Sequence, residues 1–100
     1  MQTKVDEFIS KHNLSCGEKI RYMDLVSEIG ELGKEIIKGC EYGQKHYINT
    51  PNSANELGDC LFSLIALCCE MGVDAENALN LALAKYEKRF ATKGDISSGH

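Results

Sequence analysis

The fold depends on residues 52–71, which read NSANELGDCLFSLIALCCEM. On a helical projection this stretch has a polar side about 60° wide, and apolar residues cover much of the remaining surface. We call the polar side the acidic strip, and it consists of Asn52, Glu56, Asp59, Ser63 and Glu70. A helix on a protein surface has a wider polar face, so the pattern predicts a third helix that is buried on several sides.

The start of this helix has two interpretations. Thr50-Pro51 would put proline at the first helical position, whereas Ser53 and Glu56 match a capping box. A capping role would explain Glu56, but it would not explain Asp59 one turn later or the continuation of the acidic strip to Glu70. Because charges enclosed by apolar residues cost several kcal/mol each unless they are paired or metal-bound, we expect the strip to need a partner.

A second acidic pair, Glu28 and Glu31, lies in the preceding predicted helix. Residues three apart are about 60° apart around a helix, so both carboxylates point to one side, which Asp24 and Glu35 extend. Taken alone, this side is best interpreted as a solvated face. Together with the pair on the third helix it predicts clustered carboxylates, which repel unless a hard divalent cation lies among them, and Mg²⁺ is the first candidate.

Apolar spacing predicts four helices and an all-α, four-helix-bundle-like single domain over residues 1–100. We expect Thr3 to cap the first helix, a capping box from Ser15 to Glu18 to open the second, and Asp74 to cap the fourth. The second helix ends at Gly39, the third at Met71-Gly72, and the fourth runs through Phe90. Its expected core stripe is Leu79, Leu83, Tyr86 and Phe90.

The fourth helix also carries Lys85 and Arg89, one turn apart. They could bind phosphate oxygens, or they could only complement the negative end of the helix dipole. Tyr42 and Tyr47, in the loop after the second helix, could touch a base or cover the edge of the core. The tail 94–100 is expected to be disordered or to close over a site.

Composition limits the possible partners and compartments. The chain has 11 basic and 15 acidic side chains and no basic run, which argues against a nucleic-acid duplex as partner. Its 5 cysteines are odd in number and show no C-x-x-C spacing, as expected in a reduced cytoplasm. The apolar run 61–71 is far shorter than the roughly 20 residues of a membrane span, and no leader opens the chain. We therefore predict a cytoplasmic protein without a membrane partner.

Two acidic pairs in order, Glu28-x-x-Glu31 and Glu56-x-x-Asp59, followed by Lys85-x-x-x-Arg89, resemble the MazG-like all-α nucleoside triphosphate pyrophosphohydrolases. The resemblance extends from about residue 20 to residue 89, and the second pair lies within an Asn-Glu-Leu-Gly-Asp run. Many members have a further glutamate where this chain has Ser27, so the general base would come from the remaining carboxylates.

The resemblance implies hydrolysis of a canonical or damaged nucleoside triphosphate between the α- and β-phosphates, as in house-cleaning of the nucleotide pool. One or more Mg²⁺ ions, for which Mn²⁺ could substitute, would be held by the four carboxylates of Glu28, Glu31, Glu56 and Asp59. Glu28 is the candidate general base, and Lys85 and Arg89 would stabilise the leaving pyrophosphate.

The resemblance also implies a dimer or tetramer, and surface area supports this expectation. A 100-residue chain buries only about two-thirds of its unfolded surface, too little to cover the apolar flanks of the third helix. Gly30 and Gly33 suggest a place where another helix crosses closely. The alternative is a non-catalytic helical dimer that acts as an interaction module and binds no metal. A di-iron carboxylate protein would need Glu-x-x-His pairs, and none occurs.

Overall fold

A computed structural model describes residues 1–93, which form four helices and no strand. These are α1 (Gln2–Lys11), α2 (Glu18–Gly39), α3 (Ser53–Met71) and α4 (Ala75–Lys93). The predicted all-α class and the number of helices are confirmed, and α4 extends almost one turn beyond the predicted end. None of the four helices is long and apolar enough to cross a membrane. The prediction made for the tail concerns residues 94–100, which lie outside the described range.

The third helix contacts both α1 and α2, but its predicted burial on several sides is only partly observed, because several of its leucines remain exposed in the single chain. α2 and α3 pack along one another as an antiparallel pair, and α1 lies against α3. The buried apolar side chains in the described range are Ile9, Ile65 and Ala66. Phe62 of α3 meets Phe8 of α1 edge to face, with 5.9 Å between the ring centroids. This small core joins α1 to the α2–α3 pair.

The fourth helix makes few contacts with the other three. The radius of gyration is 16.6 Å, compared with about 13 Å for a compact domain of 100 residues. The predicted burial of Leu79, Leu83 and Phe90 is therefore wrong for a single chain, because α1, α2 and α3 leave that side of α4 uncovered and all three are more than half exposed. On α3, Leu57, Leu61 and Leu64 are exposed as well.

A side chain at the start of α1 forms hydrogen bonds with a distant part of the sequence. Met1, not Thr3, is the N-cap of α1, and no side chain there makes a capping hydrogen bond, so that prediction is wrong. The side chain of Gln2 instead donates to the carbonyl of Val73 at 2.8 Å and accepts from the amide of Ala75 at 2.7 Å. These two bonds attach the start of α1 to the turn between α3 and α4.

Two predictions about this turn are confirmed. Gly72 ends α3 in the left-handed conformation, with φ at 66°, which a residue without a Cβ adopts without strain. The Oδ1 atom of Asp74 accepts a hydrogen bond from the amide of Asn77 at 3.1 Å and so caps α4. The expected close crossing at Gly30 and Gly33 does not occur among residues 1–93, where a Cβ at either position would meet no atom within 4 Å.

Candidate functional site

The facing sides of α2 and α3 bring three acidic side chains together. One carboxylate oxygen each from Glu28, Glu56 and Asp59 lies within 4.8 Å of the other two. Glu28 and Glu56 are half-buried and Asp59 is exposed. The spacing of three residues places Glu56 and Asp59 on the side of α3 that faces Glu28, as the sequence predicts. We call these three residues the acidic cluster.

Glu31, the fourth predicted ligand, lies beside the acidic cluster but is not one of the three. Its carboxylate is 3.7 Å from the ammonium group of Lys34, and its side chain is 53% exposed. Its negative charge nevertheless reaches the cluster, because it contributes to the raised pKa of Glu56. Glu31 therefore adds to the negative potential at the acidic cluster without belonging to the three carboxylates that lie within 4.8 Å of one another.

The electrostatics of the acidic cluster favour a cation. Burial raises the pKa of Glu56, and the negative charges of Asp59, Glu31, Glu28 and Glu35 raise it further, in that order. Within residues 1–92 no basic side chain lies within 4.0 Å of a carboxylate of the cluster. Carboxylate oxygens are the ligands that Mg²⁺ and Mn²⁺ prefer, so the donor set fits a hard divalent ion.

The structure contradicts the interpretation of Glu56 as part of a capping box. α3 begins at Ser53 after Asn52, and no side chain makes a capping hydrogen bond there. The hydroxyl of Ser53 instead accepts a hydrogen bond from the amide of Thr50 at 2.8 Å. The carboxylate of Glu56 is thus directed to the acidic cluster and not to the start of its own helix.

The two acids that extend the α2 stripe have different environments. Glu35 is only 6% exposed, and its Oε2 atom accepts a hydrogen bond from the Thr50 hydroxyl at 2.6 Å. Asp24 is exposed and lies 3.8 Å from the guanidinium group of Arg21. Periodicity identified Glu35, but it gave no indication of Thr50, which the sequence suggested only as a possible helix start. A contact between a loop hydroxyl and a carboxylate 15 residues away leaves no periodic signal.

At the other end of the acidic strip, Glu70 has a structural role. Its carboxylate accepts hydrogen bonds from the Ser15 hydroxyl at 2.8 Å and from the amides of Cys16 at 3.2 Å and Gly17 at 2.9 Å. These bonds, the one from Ser15 above all, lower the pKa of Glu70, and the charge of Arg21 contributes. The predicted capping box from Ser15 to Glu18 is therefore wrong, because Glu70 of α3 satisfies the open start of α2 instead.

The helix that carries the predicted phosphate-binding residues makes few contacts with α2 and α3, which hold the acidic cluster. Lys85 and Arg89 lie on α4, where their cationic groups are 5.1 Å and 6.0 Å from the centre of the Tyr86 ring. Neither forms an ion pair with a carboxylate among residues 1–93. The Nη1 atom of Arg89 is buried and has no hydrogen-bond partner in the same range.

The loop between α2 and α3 favours a structural role for one of its tyrosines. The hydroxyl of Tyr47 lies 2.8 Å from the Ser53 hydroxyl, and its ring lies against Gly39. Tyr42 is 79% exposed and remains available to a ligand.

All five cysteines are free thiols, and burial together with the charges of Glu28, Glu56 and Asp59 raises the pKa of Cys60.

Comparison with known protein families gives a match that includes both acidic pairs and the basic residues of α4. The matching family is described as the MazG nucleotide pyrophosphohydrolase domain, and the match covers residues 19–92. No significant match is found among curated proteins or among solved structures. The matched segment includes all of α3 and almost all of α2 and α4.

Proposed function

Because the chain belongs to the family of MazG nucleotide pyrophosphohydrolase domains, we propose that it hydrolyses nucleoside or deoxynucleoside triphosphates to the monophosphate and pyrophosphate. The observation that carries this proposal is the acidic cluster, three carboxylates within 4.8 Å of one another inside the matched segment. A cytoplasmic role in clearing unwanted nucleotides from the pool agrees with this chemistry.

In this proposal Glu28, Glu56 and Asp59 hold Mg²⁺ or Mn²⁺, and Glu31 contributes from the adjacent turn of α2. The bound ion would neutralise phosphate oxygens and lower the pKa of a coordinated water. Glu28, the carboxylate that α2 contributes to the acidic cluster, would accept a proton from the water that attacks the α-phosphorus. Ser27 cannot take this role, since a serine hydroxyl is a poor base at neutral pH.

Lys85 and Arg89 would stabilise the negative charge that grows on the leaving pyrophosphate. The support for this role is that both are cationic, lie one turn apart, and have no carboxylate partner within residues 1–93. The unpartnered Nη1 atom of Arg89 is a donor that a phosphate oxygen would satisfy. Because α4 makes few contacts within its own chain, the position of Lys85 and Arg89 relative to the acidic cluster depends on which surface packs against α4.

We propose that a second copy of the chain packs there, giving a homo-oligomer, either a dimer or a tetramer. A groove of about 990 Å³ lies between α1, α3 and the start of α4, and it is lined by apolar side chains that include Leu61, Leu64, Ile65 and Leu79. Each apolar side chain that becomes covered contributes about 1.5–3 kcal/mol. Sedimentation at micromolar concentration tests this proposal, and an active species at the monomer mass of 11.1 kDa would contradict it.

The catalytic proposal is tested with a panel of nucleoside and deoxynucleoside triphosphates, with and without Mg²⁺. We expect pyrophosphate and the monophosphate as products, no orthophosphate, and no turnover once a chelator removes the divalent ion. Mn²⁺ should restore activity to chelator-treated protein. Release of orthophosphate, or turnover that persists in the chelator, would show that the assigned reaction is wrong.

A second candidate is a non-catalytic helical dimer that acts as an interaction module. The exposed apolar side chains of α3 and α4 favour it, because a protein–protein interface would cover them whether or not catalysis occurs. This candidate predicts an oligomer that binds no divalent ion. A direct titration with Mn²⁺ distinguishes it from the enzyme.

A further inference from the structure

A chain of hydroxyl groups links the loop before α3 to a buried carboxylate on α2. The Tyr47 hydroxyl lies 2.8 Å from the Ser53 hydroxyl, which lies 3.3 Å from that of Thr50. The Thr50 hydroxyl donates to the Oε2 atom of Glu35 at 2.6 Å. This chain is adjacent to the acidic cluster, because Ser53 lies one helical turn before Glu56 on α3, and the charge of Glu35 also contributes to the raised pKa of Glu56.

The direction of the hydrogen bonds follows from counting protons. Each hydroxyl has one proton, and the Thr50 hydroxyl donates its proton to the carboxylate of Glu35. With its own proton given to Glu35, Thr50 can only accept from Ser53, and Ser53 then accepts from Tyr47. All three hydroxyls therefore point toward Glu35, an arrangement in which each bond polarises and strengthens the next.

The Thr50 hydroxyl also fixes the start of α3. It accepts a hydrogen bond from the amide of Asn52 at 3.2 Å, and the carbonyl of Asn52 accepts one from the amide of Glu56 at 3.0 Å. The path from Glu35 on α2 to Glu56 on α3 thus runs through one hydroxyl group and one residue. The distance between Glu28 and Glu56 depends on how these two helices are held relative to each other.

Burial makes this arrangement dependent on the hydroxyl. Glu35 is 6% exposed, and no basic side chain within residues 1–92 lies within 4.0 Å of its carboxylate. The Thr50 hydroxyl is the hydrogen-bond donor that Glu35 has in this range. A buried carboxylate that loses its donor is left with an uncompensated desolvation cost, so α2 and the loop would move to restore contact with water or another donor.

We propose that Glu35 and Thr50 are positioning residues, which hold the start of α3 at the distance from α2 that the acidic cluster needs to bind a divalent ion. The inference rests on the proposed function, in that the cluster is taken to be a metal site. It adds two residues to the site that do not belong to either acidic pair. Neighbours that orient metal ligands typically change metal affinity about 10–100-fold when they are removed.

The test compares Thr50→Val, which keeps the shape of the side chain but loses the hydroxyl, with Thr50→Ser, which keeps the hydroxyl. Mn²⁺ binding to the full-length protein is measured by electron paramagnetic resonance without nucleotide, and unfolding without metal is measured by circular dichroism. We expect Thr50→Val to weaken Mn²⁺ binding about tenfold or more and Thr50→Ser to bind as the wild type does. If Thr50→Val loses its helical circular dichroism signal, Mn²⁺ binding is measured on Thr50→Ala instead, which also lacks the hydroxyl.

Ser15→Ala is the matched control, because it also removes a hydroxyl that bonds to a glutamate joining α2 to α3, but at the far end of the pair. It should lower stability and leave Mn²⁺ affinity unchanged. If Thr50→Val binds Mn²⁺ as the wild type does, or if Ser15→Ala weakens binding equally, the positioning role is overturned. The two proposals can fail separately. If Thr50→Val loses Mn²⁺ affinity but the wild type releases no pyrophosphate, the positioning role is supported and the proposed reaction is overturned.

Discussion

The two ends of α3 carry glutamates on the same side of one helix, and the two have opposite environments. Burial and four neighbouring carboxylates raise the pKa of Glu56 near the start of α3. Three hydrogen bonds lower the pKa of Glu70 near its end. Helical periodicity places both residues in the acidic strip, but the groups that face each one determine what it can do.

The antiparallel packing of α2 on α3 causes this difference. The end of α3 meets the start of α2, where backbone amides without helical partners and the positive end of the helix dipole favour a negative charge. The start of α3 meets the middle of α2, where Glu28 adds a further negative charge. Glu70 therefore stabilises the apoprotein, whereas Glu56 and its neighbours destabilise it unless a cation binds.

The largest expected effect is at the acidic end. Glu56→Gln or Asp59→Asn should reduce turnover by more than about 100-fold at saturating Mg²⁺, because each removes an ionic ligand of the metal. Pyrophosphate release measures this loss. A variant that keeps near wild-type turnover would show that its residue is not a ligand.

The same variants should not unfold more easily without metal. The pKa of Glu56 is raised in the folded state. As the pH rises from the ordinary glutamate pKa through this raised pKa, ionisation of Glu56 therefore lowers the stability of the folded protein. Glu56→Gln removes this cost, so its apoprotein at neutral pH should melt at the wild-type temperature or above it. Thermal unfolding in a chelator checks the prediction, and a clear decrease in melting temperature would indicate a structural role for Glu56.

The next largest effect concerns α4, which belongs to neither end of this comparison. Arg89→Ala should weaken binding of a triphosphate about 10–100-fold, the value of a hydrogen bond to a charged group, and weaken monophosphate binding much less. Calorimetry with a non-hydrolysable triphosphate analogue and with the monophosphate measures both losses. Equal losses for the two ligands would make Arg89 a structural residue.

A glycine next to the loop before α3 tests how tightly the acidic end is packed. A Cβ on Gly39 would lie 2.5 Å from a carbon of the Tyr47 ring and 2.7 Å from the carbonyl oxygen of Ile48. Gly39→Ala should therefore lower the free energy of unfolding by about 1–3 kcal/mol. Gly58→Ala is the control, because a Cβ at that helical position meets no atom within 4 Å. Equal stability of the two variants, measured by denaturant unfolding, would contradict this packing.

The smallest effect on activity is expected at the other end of the acidic strip. Glu70→Gln should lower the melting temperature but leave turnover at saturating Mg²⁺ near the wild-type value. Since the pKa of Glu70 is lowered by folding, its contribution to stability is present above the ordinary glutamate pKa and is lost as the pH falls through the lowered value. The variant should lack this acid-dependent step. Glu87→Gln, on the exposed side of α4, is the matched control and should melt as the wild type does.

Features set by residues close in sequence were predictable, and features set by distant partners were not. The helices and the meeting of Glu28 with Glu56 and Asp59 follow from apolar and acidic spacing. The predicted caps at Thr3 and Ser15 are wrong, because Gln2 and Glu70 make bonds across the fold that no local pattern encodes. The alternative capping role of Ser53 does not occur either, since its hydroxyl accepts a hydrogen bond from the amide of Thr50, three residues earlier. The apolar stripe of α4 was recognised, but its periodicity could not show that it is exposed in the single chain.

The division of the acidic strip into a metal site and a structural contact is the central claim, and Mn²⁺ binding tests it most directly. Electron paramagnetic resonance titration would compare the wild type, Glu56→Gln and Glu70→Gln without nucleotide. We predict that the wild type and Glu70→Gln bind Mn²⁺ with the same affinity and that Glu56→Gln loses binding. Equal binding by Glu56→Gln and the wild type, or equal loss in both variants, would contradict the account.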